Sequence, residues 1–165
     1  MGRNNLSATK LDSVDKKILT YLQESGRITN VELADRIGIT APPCLRRVRA
    51  LEEAGYIKGY YADLNKAALG FTITVFVMVG LNSQSETDLK NFESMVAALP
   101  LVRECYMLNG EFDFLLKIVA CDLSEFQNFL TSEILPGAHV ETVKSSLTIR
   151  SAKQEPGIPM GVVNI

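Results

Sequence analysis

Arg46, Arg47 and Arg49 crowd into four consecutive positions, and no acidic residue stands between positions 41 and 51. A guanidinium presents a rigid fork of N–H donors that matches phosphate oxygens and the O6/N7 edge of guanine, so the chemistry these residues offer is recognition of nucleic acid. A second group is Leu108-Asn109-Gly110-Glu111-Phe112-Asp113. Read as alternate residues of a strand, Glu111 and Asp113 share a face, where a carboxylate pair either performs acid–base work or stands as an exposed strand-end acid pair. No neighbour supplies a nucleophile or an electrophile, which disfavours catalysis. Cys44, Cys105 and Cys121 form no C-x-x-C pair and His139 is the one histidine. Neither a zinc site nor a disulfide framework is supported, and reduced, buried thiols are expected. With no phosphate loop either, the chain is expected to be no enzyme and to need no cofactor.

The arginines require a helix that turns one face outward. Residues 29–37 read as a short helix: Thr29 is an N-cap with Glu32 three residues on, and Val31, Leu33, Ala34 and Ile37 recur at helical spacing. Gly38 ends it, since the residue past a helix often needs positive φ. A second helix starts at Thr40 or Ala41, with Pro42 and Pro43 in its first turn, where no backbone N–H bond is lost. Leu45, Val48 and Leu51 are expected to bury, leaving Arg46, Arg47 and Arg49 pointing away. This is a helix-turn-helix pattern, whose second helix lies in a major groove. Thr40, Pro42 and Pro43 then set the entry of that helix, Arg46 and Arg47 carry most of the contact, and Arg49 and Lys58 touch phosphate. Residues 56–62, aromatic and β-branched around Gly59, suit a short strand or wing. An earlier helix from Leu11, with Val14, Ile18, Leu19 and Leu22 as its apolar stripe, completes a three-helix unit.

Beyond residue 70 the pattern reads strand, helix, strand, twice. Residues 71–81 are apolar on both faces. Ser85 to Asp88 cap a helix with Leu89, Phe92, Val96 and Leu99 on one side. Residues 101–108 and 112–121 form a hairpin across Asn109-Gly110, a strong turn signal. Asp122 and Glu125 cap the next helix, with Phe126, Phe129, Leu130 and Ile134 inward, and residues 140–150 make the last strand. The order βαββαβ predicts an antiparallel sheet with both helices on one face. The uncovered face would carry Phe76, Met78, Tyr106 and Leu115, too apolar to leave in water, so self-association is expected.

In their order and spacing, LDSVDKKIL, SGRITNVELADRIGIT and PPCLRRVRALEEAGYIKGY, followed by the run from Leu108 to Lys117, closely resemble the Lrp/AsnC (feast/famine) transcription regulators over roughly residues 11–150. The resemblance implies an α+β chain: an N-terminal winged helix-turn-helix and a C-terminal ferredoxin-like βαββαβ effector and oligomerisation domain. It also implies dimers that close into an octamer. Between dimers, the segment Leu108, Asn109, Gly110, Glu111, Phe112 and Asp113 would line a pocket for an amino acid. One departure stands out: Ala138 and His139 separate Gly137 from Val140, where the family often runs Leu-Pro-Gly-Val.

The chain of 165 residues is 47% apolar and carries a net charge of −2. Residues 1–63 hold 10 Lys/Arg against 8 Asp/Glu, a net +2, while the remainder is net −4. Positive charge is thus kept at the end that would meet phosphate. No run is apolar enough for a membrane span and the N-terminus is too polar for a signal peptide, so a cytoplasmic protein without a membrane partner is expected. The expected divisions are a flexible tail at 1–10, the DNA-binding domain at 11–63, a connector at 64–70, the effector domain at 71–150 and a tail at 151–165. Two functions fit these readings. One is a regulator that binds double-stranded DNA and senses an amino acid; the other is a ferredoxin-like metabolic enzyme or sensor without DNA binding. Salt-dependent binding to duplex DNA separates them.

Overall fold

The computed structural model describes residues 11–137, 139–155 and 157–162. The expected flexible tail at 1–10 lies outside them. The chain divides into two compact units, one made of Met1–Asp63 with Lys153–Ile165 and the other of Leu64–Ala152.

In the first unit, α1 spans Ser13–Glu24, α2 Asn30–Ile37 and α3 Ala41–Glu53. Each start follows from local chemistry. Asp12 caps α1 by accepting from the Val14 and Asp15 N–H groups, and Asp15 returns the bond to the Asp12 N–H. Thr29 and Glu32 do the same for α2. Gly38 ends α2 at φ 77°, and the following Ile39 N–H reaches the Ala34 carbonyl. Ile18, Leu33, Ala34, Ile37, Cys44 and Leu51 form the core between the three helices.

Two expectations for this unit need correction. Leu45 is not buried but 39% exposed, and Cys44 takes the inward place. The inward stripe of α3 is Ala41, Cys44, Val48 and Leu51, and Leu45 stands about 100° round the helix from Cys44. The wing forms no strand: residues 57–65 carry no regular secondary structure, because among the described residues no segment lies alongside to pair with their backbone. The thiols also divide, Cys44 buried as expected and Cys105 and Cys121 exposed.

In the second unit a short 3₁₀ turn at Ala67–Leu69 leads into β1 (Ile73–Leu81), followed by α4 (Glu86–Ala97), β2 (Val102–Met107), β3 (Phe114–Ala120), α5 (Leu123–Phe129) and β4 (Val140–Leu147). The sheet is antiparallel in the order β2-β3-β1-β4. That is the ferredoxin-like arrangement. Alternation along β1 sends Val75, Val77 and Val79 to one face, where they meet Leu116 and Ile118 of β3 and Phe92, Val96, Phe126 and Phe129 of the helices. A π-helical turn at Leu130–Ile134 continues α5 and buries Ile134.

Neither α4 nor α5 covers the opposite face. Phe76 pairs with Lys117, Met78 with Leu115, and Leu115 with Tyr106, so the four apolar residues expected there do share it. Phe76 and Tyr106 remain exposed. Between them runs a polar stripe: Glu104 accepts from Lys117 Nζ at 2.6 Å and from the Tyr106 hydroxyl at 2.8 Å, and the Lys117 bond chiefly holds the Glu104 carboxyl below its usual range.

Candidate DNA-reading helix and effector loop

The angle of α3 is set by its partners in the first unit. Asn30, at the start of α2, donates from Nδ2 to the Ala41 carbonyl at 2.8 Å and so ties the first turn of α3 to α2. Thr40 is the N-cap of α3 by backbone geometry, yet its hydroxyl makes no capping bond; Pro42 is exposed and Pro43 half-buried in the first turn. Arg46 and Arg49 stand on the outward face with Leu45 and Ala50, and Lys58 is exposed beyond the helix.

Arg47 differs from the expectation. Its Nη1 donates to Asp12 Oδ2 at 2.8 Å and to Asp15 Oδ1 at 2.7 Å, and its side chain is half-buried. The Asp15 and Asp12 carboxylates push the Arg47 guanidinium up. Asp12 is held below its ordinary range first by the Asp15 N–H and also by Arg47. Arg47 therefore joins the N-terminus of α1 to α3. At this exposure such a pair contributes less than about 1 kcal/mol, but it fixes where the arginine points. Sequence reading missed it because Asp12 and Asp15 lie more than 30 positions away, although the capping pattern that places both acids on the first turn was present.

In the second unit the last β2–β3 pair is Met107 with Phe114, which leaves residues 108–113 as the loop. The expected tight turn across Asn109-Gly110 is thus a wider connection, closed by the Leu108 N–H on the Asp113 carbonyl at 2.7 Å. Gly110 does not take positive φ, and a Cβ there would meet nothing within 4 Å, so this chain alone leaves room for a side chain. Leu108, Asn109, Gly110 and Glu111 are exposed and Phe112 is half-buried.

Glu111 and Asp113 do not share a strand face, since both precede β3. Asp113 is 8% exposed. Its Oδ2 accepts the Leu81 N–H at 2.7 Å and its Oδ1 accepts Gln84 Nε2 at 3.0 Å, while its own N–H donates to the Val79 carbonyl. A buried carboxylate is tolerated because it is so satisfied. Asp113 thereby fastens the loop to the end of β1, at the bulge between Gly80 and Leu81. The same end is held from a third side. His139, at φ 70°, donates from Nδ1 to Asn82 Oδ1 (3.1 Å), lies 3.2 Å from Asp88 Oδ1 through Nε2, and accepts the Asn82 N–H on its carbonyl. Hydroxyls of Ser83 and Ser85 hold the Asp88 carboxyl below its usual range. Within the departure at 138–139, His139 thus ties the end of β1 to the start of α4; Ala138 lies outside the described residues.

Asp113→Ala is expected to destabilise the second unit by about 1–3 kcal/mol, because the buried Leu81 N–H loses its acceptor. Asp113→Asn keeps an acceptor and should recover much of that loss. Chemical denaturation of both variants checks the pair: equal stability of the alanine variant and the parent would show that this bond contributes nothing.

None of the described helices is long and apolar enough to cross a membrane. Comparison with known proteins accounts for both units. A family model described as "Winged helix-turn-helix DNA-binding" matches residues 11–58, and one described as "Lrp/AsnC ligand binding domain" matches residues 74–158. The chain is 56% identical over 144 residues to the leucine-responsive regulatory protein of Rhizobium meliloti, covering 87% of this chain and 92% of the relative. With its Escherichia coli K12 namesake it shares 38% over the same length, 87% and 88% of the two chains. Among solved structures, it is similar to a transcriptional regulator of Neisseria meningitidis crystallised as its L-Met complex. The TM-score there is 0.88 at 34% identity, over 92% of this chain and 97% of that one. An AsnC family transcriptional regulator from Agrobacterium tumefaciens matches at TM-score 0.87 and 31% identity, over 92% and 98%. With these likenesses spanning both units and joined to the helix-turn-helix and ferredoxin-like geometry, the chain belongs to the Lrp/AsnC family of transcriptional regulators.

Proposed function

We propose that this regulator grips double-stranded DNA with the outward face of α3 and answers to an amino acid bound in its second unit. The observation that carries the reading is the pair Arg46 and Arg49, exposed on the one side of α3 that the three-helix core leaves open. Thr40, Pro42 and Pro43 set the entry of the helix, Lys58 adds a phosphate contact, and Arg47 orients the helix through Asp12 and Asp15. The DNA-binding domain is taken as residues 11–63, the connector as 64–70 and the effector and oligomerisation domain as 71–150. The face bearing Phe76, Met78, Leu115 and Tyr106 supports a homodimer, and dimers assemble to an octamer in the cytoplasm. The effector lies between dimers against Leu108, Asn109, Gly110, Glu111 and Phe112. A zwitterion needs an acid for its ammonium group and N–H donors for its carboxylate. Because both Asp113 oxygens are engaged within the fold, Glu111 offers the exposed carboxylate and Asp113 shapes the loop. An amino acid that binds one assembly better than another changes the spacing of the DNA-binding units.

The test is titration of a labelled DNA duplex at several salt concentrations, with calorimetry against a panel of amino acids. Affinity is expected to fall linearly in log–log form with salt. Absence of duplex binding at low salt would remove the DNA-reading role of α3, and absence of heat with every amino acid would remove the effector role of the loop.

A further inference from the structure

The first unit is assembled from both ends of the chain, and the join between them is specific. Gln23, on the exposed side near the end of α1, spends both polar atoms of its amide on one backbone residue. Nε2 donates to the Ile158 carbonyl at 2.8 Å and Oε1 accepts the Ile158 N–H at 2.9 Å. A side-chain amide used in this way copies the two-bond exchange of a hydrogen-bonded pair in an antiparallel ladder. Gly157 makes the approach possible. It stands at φ 79°, and a Cβ on it would lie 2.2 Å from Gln23 Cδ, so no larger residue fits without displacing the amide. The segment then closes on itself through the Val162 N–H and the Pro159 carbonyl.

The contact is built to be read by backbone rather than sealed by burial. Beneath it lies a cavity of about 520 Å³ whose lining includes Leu19, Leu22, Ile57, Ile158 and Met160. The Ile158 side chain nevertheless stays 58% exposed. Apolar burial is the large term in most tertiary contacts, and here it is small. Two hydrogen bonds and one glycine therefore carry most of the specificity, an arrangement that holds when closed and opens at modest cost.

Residues 64–152 form the other unit, so the chain passes between the two units twice, after Asp63 and again after Ala152. We infer that Gln23 and Gly157 form a releasable latch, through which the C-terminal segment of the same chain gives the DNA-binding unit a second tether to the effector unit. With the latch closed, both crossings restrict the DNA-binding unit. With it open, the connector before β1 is the only restraint.

The experiment uses the full chain and two variants, Gln23→Ala, a surface helix position where alanine is well tolerated, and Gly157→Val. Amide exchange at Ile158 is expected to quicken roughly tenfold or more in each, with the amides around Ile18 unchanged. In a Cys105→Ser background, spin labels on Cys121 and on an introduced Glu53→Cys report the distance between the units, with labelled chains diluted into unlabelled protein. The distance distribution is expected to broaden in both variants. Unchanged Ile158 exchange in both would overturn the latch, and faster exchange with an unaltered distribution would overturn the tether. Protection of Ile158 that depends on protein concentration would place the docked segment on a second copy and overturn the assignment to the same chain.

Discussion

Phe114→Ala is expected to lower the stability of the second unit by about 3–5 kcal/mol, the usual range for emptying a fully buried phenylalanine site. Phe114 has no exposed surface, and its ring centroid lies 4.6 Å from that of Phe92 at an interplanar angle of 33°. It is also the first residue of β3, paired with Val79 on one side and Met107 on the other. The ring therefore supports α4 while its backbone anchors the end of the loop at residues 108–113. Against a typical domain stability of roughly 5–15 kcal/mol, such a loss is large. Denaturant unfolding followed by hydrogen exchange in β3 measures it, and the first unit should keep its own midpoint. A loss below about 1 kcal/mol would mean that the site collapses around the missing ring, and the packing described for Phe92 would be wrong.

The second large effect is expected on DNA. Arg46→Ala combined with Arg49→Ala should reduce the salt slope of duplex binding by about 1.8 for each DNA-binding unit engaged, since each phosphate neutralised contributes about 0.9. Where either arginine grips a guanine edge, a further 1–3 kcal/mol of discrimination at that base, roughly, is lost with it. Arg47→Ala serves as the contrast. Its guanidinium is occupied by Asp12 and Asp15, so its removal should loosen α1 from α3 and leave the slope nearly unchanged. If Arg47→Ala alone flattened the slope, the clamp would have to open on DNA, and the division of labour along α3 would be reversed.

The features that could be read from sequence were those set by short-range chemistry. Thr29 with Glu32, Gly38 after α2, Ser85 before α4 and Asp122 before α5 each announce a helix end within a few residues of the side chain responsible. Residues 71–81 likewise declare a strand, apolar on both faces, and the structure buries the face of Val75, Val77 and Val79. What could not be read was set by partners distant in sequence. Arg47 looked outward until Asp12 and Asp15 came to it. Asp113 looked like half of an exposed acid pair until Leu81 and Gln84 turned toward it. Asn109-Gly110 is a strong signal for a two-residue turn, yet the Asp113 side chain ties the chain to β1 and sets a longer loop instead. Residues 56–62 have strand composition, but a strand requires a neighbour, and among the described residues none lies alongside. Leu45 stands outward for a smaller reason: Cys44, itself expected to be buried, takes the inward place one residue earlier, about 100° round the helix.

The place of β1 has a consequence for how the protein is made. It is the first strand synthesised and an inner one, yet both its neighbours, β3 and β4, come later in the chain. The three helices of the first unit need only nearby residues and can form as soon as they leave the ribosome. β1 must wait for residue 147 before both its edges are paired. At about 5–20 residues per second, the residues between Leu81 and Leu147 take roughly 3–13 s to appear. Until β3 is complete at residue 120 both edges of this apolar strand are unpaired, and the β4 edge stays open until residue 147, which leaves residues 73–81 prone to pair with a neighbouring copy before their own partners arrive.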